Sequence, residues 1–166
     1  MAVLPIINTG NRRMRLLILL AAGTLAAPLA VAQPCTRPAD HAAFDVASLK
    51  SQLMVTALTC DERDKYNDFV IRFRSDLMRQ EHALQAYFAR AYGRQGQQQH
   101  DDYITLLANA QSQAGLHDGT LFCQRNAGLL DEVLALGNGT SLSQFAASKG
   151  LEQPVDLSDC AEVAHK

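Results

Sequence analysis

Histidine next to a carboxylate is a common mark of metal or acid–base chemistry, and it occurs here as His100-Asp101-Asp102 and His117-Asp118. Imidazole and carboxylate together suit a transition metal if they converge on one point. These two groups bracket a segment with helical patterning, and a helix across it would hold them roughly 25 Å apart. Neither has the i, i+4 histidine pair that sets two ligands on one helix face. Acidic residues at a helix start serve the cap and the macrodipole. They are therefore read as capping groups, and no metal or cofactor is expected. His41 and His165 lie near the terminal cysteines and are read as solvated tail residues.

Other candidate chemistry is similarly thin. Asp61, Glu62 and Asp64 cluster where negative charge favours the start of a helix, and a carboxylate pair there also has the elements of sugar hydrolysis. There is no Gly-x-Ser-x-Gly nucleophile motif. Arg72, Arg74, Arg79, Arg90 and Arg94 interleave with Asp68, Asp76 and Glu81, a solvated mixed surface rather than a basic patch. Asp68 and Arg72 have the i, i+4 spacing of a helical ion pair. Asn138-Gly139-Thr140 matches a glycosylation sequon but reads as a turn. Gln80 falls within an otherwise apolar helical arc, where an amide must find partners or cost about 1–3 kcal/mol. Asn109 and Asn126 are the partners predicted for it in a buried polar cluster.

Cysteines carry the firmest chemistry. Cys35, Cys60, Cys123 and Cys160 are an even set without Cys-x-x-Cys spacing, which reads as two disulfides with three possible connectivities. The pairing favoured is Cys60–Cys123, joining two helix starts, with Cys35–Cys160 tying the termini. Each is worth up to about 4 kcal/mol in the loop-entropy picture.

Disulfides require an oxidising compartment, and the N-terminus supplies a route to one. Arg12, Arg13 and Arg15 precede an uncharged run from Leu16 to Ala32 that ends in Ala30-Val31-Ala32, the pattern of a secretory signal peptide. Met14 is a plausible start within it. Residues 1–32 are thus predicted to be removed, leaving a single domain at 33–166, periplasmic or secreted and without a membrane segment. Removal takes three of the 15 basic residues and none of the 17 acidic ones, so the net charge of −2 falls by a further three. A chain of that sign, lacking a basic cluster, is no nucleic-acid binder.

The elements that must position these residues are helical. From Tyr66 to Ala91, Phe69, Val70, Phe73, Leu77, Leu84, Tyr87 and Phe88 fall on one arc at about 100° per residue. This predicts one continuous rod on which the core is built. Residues 33–43 are expected to be extended, with Asp45 capping a first helix whose Val46, Leu49, Leu53, Ala57 and Cys60 share a face. Met54, Val55 and Leu58 lie off that face and are the candidate interaction surface. Gly93–His100 is expected to be a mobile loop. Asp101 or Asp102 then opens a helix lined by Tyr103, Leu106, Leu107, Ala110 and Ala114, broken at Gly115 and Gly119. Phe122, Leu129, Leu130, Val133 and Leu136 define another, and Ser141-Leu142-Ser143-Gln144 has capping-box spacing for a short last helix. The fold class is all-α, a disulfide-stapled bundle of four to five helices around one long helix.

The cysteine spacing, Leu53–Cys60 followed by Tyr66-Asn67-Asp68-Phe69-Val70, and Leu106–Ala110 ahead of Phe122-Cys123 resemble small exported bacterial helical proteins with four cysteines and no assigned function. The resemblance implies a fold and a compartment, and no activity or site residues. The expected function is a non-enzymatic binding or interaction module whose partner is another envelope or periplasmic protein. The alternative is a small envelope-acting, hydrolase-like enzyme using acidic residues.

Overall fold

Pro38 starts the first helix. Arg37 before it is extended (φ −100°, ψ 162°), and proline at the first helical position has a suitable φ and no N–H to leave unpaired. Asp40 then accepts from the Arg37 N–H at 2.8 Å, satisfying an end group of the helix. α1 therefore spans Pro38–Thr59, so residues 38–43 of the segment expected to be extended are helical, with Asp45 inside the helix rather than at its cap. The computed structural model describes residues 35–137 and 141–160. The predicted signal segment, the Asn138 sequon and His165 lie outside the described residues.

α1 is the axis of the bundle. Ten of its 22 residues are buried, against three of 19 in the most aromatic helix. It packs on α2 (Arg63–Arg72), α3 (Arg74–Tyr92), α4 (Gly96–Asp118), α5 (Phe122–Asn126) and α7 (Leu142–Ser148). Small residues such as Ala43, Ser48 and Ala57 let neighbours approach on several sides, and a helix apolar nearly all round is a buried one.

The single rod predicted over Tyr66–Ala91 is two helices meeting at Phe73, whose φ −100° and ψ 17° leave the helical range. Main-chain bonds continue across the joint, from Phe73 N to Phe69 O at 3.0 Å and from Leu77 N to Phe73 O at 2.9 Å. Each half has its own core to fill. Phe69 and Phe73 join Val46, Leu49, Leu53, Ala57, Leu130, Val133, Leu142 and Phe145 in one cluster. Leu84, Tyr87 and Phe88 join Ala43, Phe44, Tyr103 and Leu107 in another.

The loop predicted at Gly93–His100 is a tight reversal into α4. Gly93 (φ 56°) ends α3, a 3₁₀ turn covers Gly93–Gln95, and α4 begins at Gly96. A Cβ on Gly96 would sit 2.8 Å from the Phe88 carbonyl oxygen, so only glycine allows this close approach. Glutamine is a good helix former, and Gln97 bonds Asp101 one turn on at 2.9 Å. Gly119 (φ 54°) ends α4, while Gly115 stays inside it against the Phe122 ring.

α5 and α6 (Gly128–Leu134) follow, with Ala127 between them. The Arg72 guanidinium donates to the Leu134 and Leu136 carbonyls at the end of α6, so it serves there instead of pairing with Asp68. The capping box of α7 forms as expected: Gln144 N donates to Ser141 Oγ at 3.2 Å and Ser141 N to Gln144 Oε1 at 3.3 Å. Cys35–Cys160 and Cys60–Cys123 are both bonded, the pairing favoured from sequence. No described helix is long and apolar enough to cross a membrane. The result is a disulfide-stapled helical bundle.

Candidate functional site

The C-terminal segment from Leu151 to Cys160 has no helical pattern, yet it is bound along its length. Leu151 packs on the first core cluster and Leu157 on the second. Thr36 N donates to Ser158 O at 2.8 Å and Cys160 N to Thr36 O at 3.0 Å, a parallel bridge beside the Cys35–Cys160 disulfide. Inside, Ser48 Oγ donates to the Glu152 carbonyl at 3.0 Å, and Gln153 Nε2 donates to the Phe44 carbonyl at 3.2 Å. The Tyr103 hydroxyl donates to Gln153 Oε1 at 2.8 Å. The segment is a strap across α1 and α4.

The strap forms one wall of a cleft of about 390 Å³. Phe44 of α1, Tyr87 and Phe88 of α3 and Tyr103 of α4 make its floor. These four rings pack edge-on or tilted at centroid distances of 5.0 to 5.9 Å and are each at most 5% exposed. Such geometry aligns ring edges with ring faces and fixes each ring by its neighbours. Burial, helped by the charge of Asp45, pushes the Tyr103 hydroxyl well above its ordinary pKa, and burial raises that of Tyr87, so both stay neutral.

The accessible surface of the cleft is different in kind. Tyr92 stacks on Phe88 (22°, 5.9 Å) and is 37% exposed, beside the exposed Leu106 and Val155. Gln99, Asp102, Asp156 and Ser158 complete the lining. Asp102 and Asp156 are exposed, and among the described residues neither forms an ion pair or accepts a side-chain hydrogen bond. Among the described residues, the cleft lining contains no lysine, arginine or histidine.

A second, shallower groove of about 540 Å³ lies between α1 and α7, lined in part by His41, Asp45 and Asp159. His41 is tied to the strap rather than free in a tail. Its Nε2 is 2.6 Å from Asp159 Oδ1 and 2.9 Å from Thr36 Oγ1. The Thr36 hydroxyl donates its proton to the Ser158 carbonyl at 3.0 Å, so it accepts from His41. Both contacts therefore use one protonated ring nitrogen, which makes a clamp between the termini and not a nucleophile–base relay. Burial pushes the Asp45 carboxyl above its ordinary pKa, against the pull of His41.

Asp40 is more deeply buried, at 3% exposed. Its Oδ2 accepts from Arg37 N, from Arg37 Nε at 3.3 Å and from Arg90 Nη2 at 2.7 Å. Burial pulls its pKa up, but the Arg37 hydrogen bonds and the charges of Arg90 and Arg37 outweigh that and hold it below the usual value.

The residues singled out from sequence do not come together. Gln80 is half-buried beside Lys50 and Glu81, Asn109 is exposed on α4, and Asn126 instead accepts from Gln52 at 3.1 Å. The predicted Gln80–Asn109–Asn126 cluster is therefore absent, because the buried face of α4 runs through His100, Tyr103, Leu107 and Gln111 and Asn109 lies on the opposite side. The buried amide is Gln111, which donates to the Ser48 carbonyl at 3.1 Å while its own Oε1 has no described partner. Of the predicted face, Val55 is buried, Met54 half-buried and only Leu58 exposed, since α1 is packed on more sides than one stripe implies. His117 is exposed at one end of α4. His100 is buried at the other, edge-on to Phe88, with Glu81 Oε1 2.9 Å from Nε2 but off the N–H direction, so no hydrogen bond forms. Glu62 pairs with Lys65 at 3.3 Å, and Lys65 reaches Asp131 at 2.9 Å. Among the described residues no three His, Cys, Asp or Glu side chains gather to hold a metal ion.

Tyr103 and Leu106 were on the helical stripe read from sequence, but the cleft was not foreseen. Its signal was the apolar spacing of Leu151, Val155 and Leu157 before a cysteine. The chain matches no family model, and no curated protein or solved structure is significantly similar to it.

Proposed function

We propose that this is an exported bacterial binding protein, cleaved near Ala32, that works in the periplasm or outside the cell. It holds a small molecule in the cleft under the strap without transforming it. Two disulfides support an oxidising, non-cytoplasmic compartment, and the leader-like residues 1–32 support export. The observation that carries the reading is the cleft of about 390 Å³, whose ring floor is locked by its own packing and whose mouth is apolar and acidic. That volume lies in the ordinary range for small-molecule sites, and a preformed floor loses little freedom on binding. A helical face presented to another envelope protein has less support, because Val55 is buried in the core.

Asp102 and Asp156 also favour a second reading, a hydrolase of the envelope in which one carboxyl acts as acid and the other as base. Native mass spectrometry of the protein taken from its own periplasm without reductant separates the two. An intact small-molecule adduct, lost in Leu106→Arg, is expected. A cleaved adduct would favour the hydrolase, and a stoichiometric protein partner with an empty cleft would overturn the binding reading. The same spectrum checks for an N-terminus near Gln33.

A further inference from the structure

Resting on the binding reading, we infer that the cleft selects an organic cation with an apolar shell, such as a quaternary ammonium group. The charges it presents are the carboxylates of Asp102 and Asp156, with no basic side chain among the described residues of the lining to neutralise them. An anion entering there would meet two like charges, and a neutral solute would leave both carboxylates unused. A strongly hydrated metal ion or primary ammonium is less well served, because the large exposed side chains of the lining are Tyr92, Leu106 and Val155. Leu106 and Val155 offer no lone pairs to replace lost water, and Tyr92 offers only its hydroxyl. A cation sheathed in methyl or methylene groups meets both requirements: its shell buries against the wall, and its charge is balanced at the mouth.

The Tyr92 ring adds a specific attraction, since an aromatic face is the negative pole of the ring quadrupole. Tyr92 is 37% exposed in the cleft lining while it stacks on Phe88. The neighbouring Tyr87 already takes a cation in this way: the Arg90 guanidinium lies 5.4 Å from its ring centroid. That guanidinium is itself paired with Asp40 at 2.7 Å, so it is not free to fill the cleft.

Choline and its uncharged isostere 3,3-dimethylbutan-1-ol are the probes that test this. The chain has no tryptophan, and three of its four tyrosines, Tyr87, Tyr92 and Tyr103, line the cleft, so intrinsic tyrosine fluorescence reports occupancy directly. Choline should change that signal saturably in the oxidised protein, with the isostere about 25-fold weaker, the product of two fivefold charge effects. Asp102→Asn and Asp156→Asn should each weaken choline about fivefold, the effect of one unit charge about 4 Å away in a water-like medium. Both leave the isostere unchanged. Both side chains are exposed and unpartnered among the described residues, so circular dichroism should be unaltered. Added salt should weaken choline and not the isostere. Equal affinity for the two probes, or choline binding indifferent to both substitutions, overturns the cation inference and leaves the cleft a binding site. If neither probe changes the tyrosine signal, the cation inference is likewise overturned; a native adduct that Leu106→Arg removes would still uphold binding, and its absence would end that reading too.

Discussion

Around the C-terminal half of α1, Leu49, Leu53 and Ala57 meet Phe69, Leu130, Val133 and Leu142, a largely aliphatic core finished by the Cys60–Cys123 disulfide. Around its N-terminal half, Phe44 meets Tyr87, Phe88 and Tyr103, and polar groups reach the interior: Asp40 with Arg90, Ser48 with Gln111, Tyr103 with Gln153. One half is closed, and the other carries the cleft. Branched and flexible aliphatic side chains fill a space completely, which is what stabilises a core. Rings packed edge to face against a strap that is held by hydrogen bonds leave an edge unfilled. Stability and a candidate site are thus carried by opposite ends of one helix.

Leu53→Ala is the strongest way to break that contrast on the stable side. Leu53 is 0% exposed in the aliphatic cluster, so truncation should cost about 2–5 kcal/mol in denaturant unfolding. A loss under about 1 kcal/mol would mean the cluster is not the stabilising half. The disulfides divide the halves more sharply. Replacing Cys60 and Cys123 by alanine should lower stability by about 2–4 kcal/mol while leaving the strap protected in hydrogen exchange. Replacing Cys35 and Cys160 should instead free the Thr36 and Cys160 amides to exchange and abolish any ligand-induced tyrosine signal.

Asp40→Asn probes the polar half and has a pH signature. The folded carboxyl titrates below its ordinary value of 3.8. Its stabilisation is therefore fully present above about pH 4 and is lost as pH falls through the lowered folded value. The variant should lose about 1–2 kcal/mol at neutral pH, discounted because Arg90 is 38% exposed, and its stability should fall less on acidification. An unchanged acid limb would show that Asp40 is not the group responsible. The smallest effect belongs to Gln111→Leu, about 1 kcal/mol or less by thermal unfolding. The substitution removes two bonds to Ser48 but also an amide oxygen with no described partner. A larger loss would place a bound water on that oxygen.

Much of this fold is legible along the chain because it depends on near neighbours. The arcs of α2 and α3, the Ser141–Gln144 box and the breaks at Gly93 and Gly119 follow from spacing within a few residues. Four cysteines without close spacing are enough to announce two staples. Less local features read poorly. Gln80 looked buried because its own arc is apolar, but no neighbour covers it fully, whereas Gln111 sits in a polar stretch and is enclosed by α1.

The sequence by itself determined an all-helical chain with two disulfides, since helix periodicity, caps and cysteine parity are properties of the local chain. Only the tertiary structure decided that α1 and not the aromatic rod is the axis, that the rod turns at Phe73, and that an unpatterned tail becomes the wall of a cleft. Those outcomes depend on which surfaces meet across 50 to 120 residues of chain, as Tyr103 meets Gln153 and Thr36 meets Ser158. No periodicity in a single segment encodes where its partner lies, because burial is a property of the pair.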